Sequence, residues 1–140
     1  MDALPSYLIA ASALVILALG CLHLLLTFRG NRLHPRESGL MERMQNSNPV
    51  ITRETTMWKA WIGFNASHSY GAMLFGLSFV YLALWHGELL FSSVYLLGLG
   101  LLFLGGYVFL GKRYWFSRPN AGILLATGLY VAALVLSQLS

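Results

Sequence analysis

Residues 6–28 read SYLIAASALVILALGCLHLLLTF, a run of 23 residues without a single charge. One helical crossing of a bilayer needs about 20 mostly apolar residues. An open strand edge cannot satisfy its backbone in hydrocarbon, so a helix is the form such a run takes there. A cleaved signal peptide is not expected. Met1 to Pro5 carries an aspartate and no basic residue, and the apolar run is too long.

Working outward, three more blocks repeat the pattern: residues 58–85, 89–111 and 119–139. The rest of the composition agrees. The 140-residue chain is 57% hydrophobic and only 10% charged, whereas soluble domains carry about 25% charged residues. The expectation is an all-α fold: an integral membrane four-helix bundle forming one domain over residues 1–140. Neither a repeat nor a second domain interrupts it.

Basic residues set the expected orientation. Arg29, Arg32, Arg36, Arg43 and Arg53 fill the segment 29–57, with Lys59 just beyond; Lys112, Arg113 and Arg118 flank the junction of the last two blocks. The N-terminal end, the turn near His86 and the C-terminal tail hold none. Both termini are therefore expected outside, with a long first loop in the cytoplasm and the chain multi-pass in a bacterial inner (cell) membrane. The formal charge of +4 is then a topology signal with scope for anionic-lipid contact, and no nucleic-acid partner is expected.

Loop 29–57 is much longer than ordinary connections. Within it, residues 38–44 suggest a short surface helix with Leu40, Met41 and Met44 on one side. Asn48-Pro49 then breaks the chain. Thr52 offers an N-cap, so the second long helix is expected from about Arg53, projecting into the cytoplasm before Trp58.

At 100° per residue, that helix resolves three faces. Ala60, Gly63, Ser67, Gly71 and Ser78 form a stripe of small residues of the kind that lets membrane helices approach closely. Ile62, Ala66, Tyr70, Met73, Leu77, Val80 and Leu84 form a lipid-compatible face. Glu54, Trp58, Trp61, Asn65, His68, Ser69, Ala72 and Gly76 share the third. On the first helix, Ser12, Ile16, Gly20, His23 and Thr27 recur on one face. His23 lies roughly 9 Å inside Arg29, while Asn65 and His68 lie roughly 9 and 14 Å inside Lys59, at 1.5 Å per residue. The two histidines are thus expected to meet at similar depth, with Tyr107, Asn120 and Thr127 able to join them.

Polar and ionisable groups inside a membrane are costly and mark candidate sites. The expected ligand-binding set is His23, Asn65, His68 and Ser69, with Glu54 and Trp61 at a cytoplasmic mouth, and the ligand small or amphipathic. A b-type haem with His23 and His68 as axial ligands is an alternative cofactor reading. Another is helix glue within a structural or accessory subunit, alone, as a homo-oligomer or in a membrane complex. The single Cys21 reads as a packing residue and excludes an internal disulfide. No metal centre is expected. No phosphate loop, His-Glu-x-x-His or nucleophile elbow is present, and no catalytic residue is assigned.

Gly20-x-x-His23-Leu24-Leu25, Thr52-Arg53-Glu54-Thr55-Thr56-Met57-Trp58, Gly63-Phe64-Asn65-x-Ser67-His68-Ser69-x-Gly71 and Arg113-Tyr114-Trp115-Phe116 resemble an uncharacterised family of small bacterial four-helix integral membrane proteins. The resemblance implies a fold and no activity. The length, spans and long first loop also look like the eicosanoid and glutathione metabolism membrane proteins, which implies a thiol-conjugating trimer. Their Glu-Arg signature is not matched, since the order here is Arg53-Glu54.

Overall fold

The computed structural model describes residues 3–139. Among these every regular element is helical: α1 (Ala3–Phe28), α2 (Leu40–Asn46), α3 (Met57–Trp85), α4 (Gly87–Ser92), α5 (Val94–Tyr114) and α6 (Ser117–Leu139). Three of them, α1, α5 and α6, are long and apolar enough to cross a membrane. The 29-residue α3 has the length for a crossing, but its first half carries Asn65, Ser67, His68 and Ser69.

The chain divides into two compact units, residues 1–19 with 72–140, and residues 20–71. The first unit owes its packing to apolar side chains of five helices, α1, α3, α4, α5 and α6. Ile9, Ile16, Leu90, Leu104, Ile123 and Tyr130 are all essentially fully buried there. Phe75 stacks on Phe79 and on Phe103, with ring centroids 4.5 and 4.2 Å apart. Phe103 in turn stacks on Tyr107 at 4.3 Å. Two buried hydroxyls tie helices together through backbone carbonyls: Ser12 Oγ donates to Ala126 O at 2.7 Å, and the Tyr130 phenol donates to Leu97 O at 3.1 Å. Where helices lie in hydrocarbon no hydrophobic force acts between them, and close packing and such bonds are what can hold them together.

Among the described glycines, Gly76 is the one set against a neighbouring helix backbone. A Cβ there would stand 2.6 Å from Leu17 Cβ and 2.9 Å from Ala13 O. The expected stripe is not where α3 packs. Gly63 and Gly71 have no described atom within 4 Å of a Cβ position, and Ser67 and Ser78 are exposed. Gly76 sits instead on the face that carries Asn65 and His68.

A break also divides the third apolar block. Ser93 leaves the helical region and its hydroxyl accepts from Leu96 N at 3.2 Å, capping α5 and separating it from α4. A cap residue satisfies an otherwise orphaned N–H at a helix start.

In the second unit, α1 ends at Phe28 and Gly30 follows with φ +80°, a left-handed conformation natural to glycine. Gly39, at φ +87°, opens α2, whose Leu40, Met41 and Met44 are half-buried while Glu42 and Arg43 are exposed. The start of α3 differs from expectation. Thr56 caps it, accepting from Lys59 N at 3.3 Å, and the helix begins at Met57 rather than near Arg53. Thr52 is used four residues earlier, accepting from Glu54 N at 3.1 Å within a turn. Asn48 explains the delay: its amide donates to Thr55 O and Arg53 O, at 2.6 and 3.4 Å, and holds these residues out of the helix.

Candidate functional site

The second unit brings His23, on α1, against Asn65 and His68, on α3. Asn65 and His68 stand three positions apart, so they neighbour each other on one helix face. The Asn65 amide is oriented by its own helix, because Nδ2 donates to Trp61 O at 2.8 Å. Oδ1 therefore faces His23, whose Nε2 lies 3.0 Å away. A carbonyl oxygen only accepts, so His23 carries a proton on Nε2 and donates it. The rings of His23 and His68 meet edge to face, 5.4 Å between centroids at an interplanar angle of 85°. Both imidazoles and Asn65 are half-buried.

Helix hydroxyls close the ends of this cluster. Thr27 Oγ1 donates to His23 O at 2.8 Å. Ser69 Oγ donates to Asn65 O at 3.0 Å and is fully buried. Ser69 therefore braces the helix behind Asn65.

Two tryptophans fasten the long loop to the first turns of α3. Trp61 Nε1 donates to Leu33 O at 3.1 Å, and the Trp58 ring meets His34 edge to face at 5.1 Å. The expected mouth residue Trp61 is thus a loop anchor with one face still exposed. Leu33 and His34 were not expected at the site. They lie in irregular chain, where no periodicity reports position, and the paired Trp58 and Trp61 were the available hint. Glu54 is exposed and precedes α3, so the helical phase that put it on the histidine face does not apply.

Tyr107 and Thr127 belong to the first unit. Tyr107 lies against Phe103 and Trp115, and Thr127 donates to Ile123 O at 2.8 Å. Asn120 is there too, its buried Oδ1 without a hydrogen-bond partner. Cys21 is exposed on α1 rather than packed.

The histidine pair does not fit a bis-imidazole haem as it stands. The rings touch edge to face with no slot between them for a flat macrocycle, and Nε2 of His23 is committed to Asn65. Among the described residues no three His, Cys, Asp or Glu side chains gather around a point where a metal could sit. An open cleft of about 260 Å³ lies in the first unit, between Ser6, Tyr7, Trp85 and Glu88, and neither histidine lines it. The chemistry within reach of the His23 cluster is hydrogen bonding: imidazole and amide groups in a largely apolar wall.

No family model, curated protein or solved structure matches this chain.

Proposed function

We propose that the chain is a multi-pass inner-membrane protein of a bacterium, its helices α1, α3, α5 and α6 forming a four-helix bundle with both termini outside. In this reading the His23–Asn65–His68 cluster holds a small or amphipathic ligand in the cytoplasmic leaflet. The observation that carries it is the 3.0 Å His23–Asn65 bond with the His68 ring alongside. Asn65 fixes the His23 tautomer and leaves Nδ1 as the basic nitrogen of that ring. A ligand with a hydroxyl or carbonyl headgroup and an apolar tail meets donors and acceptors at one end and hydrocarbon along its length. Ligand sites of this kind are apolar with a few placed polar groups.

A structural or accessory role is the second reading, and one observation favours it. Gly63, Ser67, Gly71 and Ser78 present an open stripe suited to a partner helix, and the His23–Asn65 bond then serves only to join α1 to α3.

Nitrogen NMR of the histidine side chains separates the two. The full chain would be compared in nanodiscs of pure phosphatidylcholine and in nanodiscs made from a bacterial lipid extract. Ligand binding requires the His23 and His68 signals to move in the extract. If they stay in place while the chain remains folded, the structural reading stands.

A further inference from the structure

Val50 and Ile51 are the most exposed large apolar residues described, at 110% and 91% of full accessibility. They do not lie on a loose strand. Thr52 N donates to Pro49 O at 3.2 Å, so Val50 and Ile51 are the central pair of a β-turn. The turn is held from below by Asn48, whose amide bonds Thr55 O and Arg53 O. Met57 N, at the start of α3, donates to Ser47 O at 2.8 Å and closes the loop at its base. A built scaffold thus displays two β-branched apolar side chains at its tip. It does so within eleven residues of Trp58 and Trp61, whose type favours the membrane–water interface.

The charge around the tip points to what covers it. Segment 29–57 has five arginines against three glutamates. Arg43 is occupied by Glu37 at 2.6 Å, while Arg53 beside the turn and Arg29, Arg32 and Arg36 upstream are exposed. Exposed apolar side chains on a segment of net positive charge suit the headgroup layer of an anionic leaflet, where burial and charge attraction act together.

We infer that the Pro49–Thr52 turn is a membrane foot, inserting Val50 and Ile51 into the anionic lipid surface beside α3. It fixes the long loop against the bilayer as well as against Trp61. The inference rests on the basic side of the chain facing an anionic leaflet and is independent of any ligand at His23.

The test places an environment-sensitive fluorophore (NBD) at Ile51→Cys in a Cys21→Ser background, with Gln45→Cys on exposed α2 as the water-facing control. The full chain is studied in nanodiscs of phosphatidylcholine alone and of phosphatidylcholine with phosphatidylglycerol. The expected result is blue-shifted emission at position 51, quenched by shallow nitroxide lipids, with the quenching increased by phosphatidylglycerol and reduced by Arg53→Glu. Emission matching the Gln45→Cys control in both bilayers would overturn the foot. A blue shift insensitive to nitroxide lipids would assign the turn to a protein contact instead, and equal quenching in both bilayers would overturn the anionic-lipid assignment. Val50→Cys repeats the measurement should Ile51→Cys disturb the turn.

Discussion

Asn65 holds His23 across 42 residues of sequence, its Oδ1 3.0 Å from Nε2, while its own Nδ2 is fixed on Trp61 O. The two bonds make the asparagine a rigid bracket between α1 and α3. Replacing His23 or Asn65 by Ala should each lower stability, and the double variant should lose less than the sum. The coupling expected from hydrogen bonds inside membrane proteins is about 0.6 kcal/mol. Denaturant unfolding of the four proteins in one detergent measures it. A coupling of zero would dissolve the bracket.

Gly76 tolerates no side chain without movement of the α1 backbone at Ala13 and Leu17. Gly76→Ala should cost about 1–3 kcal/mol, the usual range for overpacking. Gly63→Ala, with open space around it, should be neutral or gain up to about 1 kcal/mol of helix propensity. Thermal melts of both variants check the contrast, and equal losses would contradict it.

Trp61→Phe keeps an aromatic ring and removes the Nε1 donor to Leu33 O. A hydrogen bond of this kind contributes about 0.5–1.5 kcal/mol, so local opening of the loop should rise roughly two- to tenfold. Limited trypsin digestion at Arg29, Arg32 and Arg36 reads this directly. Unchanged cleavage rates would show that the loop is held elsewhere.

Ser93→Ala removes the acceptor that caps α5 at Leu96 N. A loss of about 1 kcal/mol is expected, with Ser93→Asp restoring most of it. Chemical denaturation is sufficient to see both.

Much of this was legible in the sequence because bilayers and helices impose strict rules. Four apolar blocks gave the long helices, and the wheel placed Asn65 and His68 on the α3 face that meets His23. The start of α3 was not legible. Thr52, Thr55 and Thr56 all have the chemistry of a cap, and only the Asn48 bonds to Arg53 O and Thr55 O decide among them. The Ser93 break was hidden because apolar residues run on through it. That the small-residue stripe packs against no helix of the described chain was hidden for another reason. A helical wheel separates faces but does not say which neighbour each face meets, and Gly76, rather than Gly63 or Gly71, is the glycine in close contact. Ser69 and Glu54 illustrate the same gap at the site: one turned out to brace its own helix, the other to precede it.

The central proposal, a ligand held by His23, Asn65 and His68, is tested most directly by native mass spectrometry of the full chain released from nanodiscs made with bacterial lipid extract. Wild type would be recorded beside His23→Phe and His68→Phe, each confirmed as folded by circular dichroism. The expected result is a discrete adduct of constant mass on the wild-type chain that both variants lose. The same adduct on all three proteins, or none on the wild type, would contradict it.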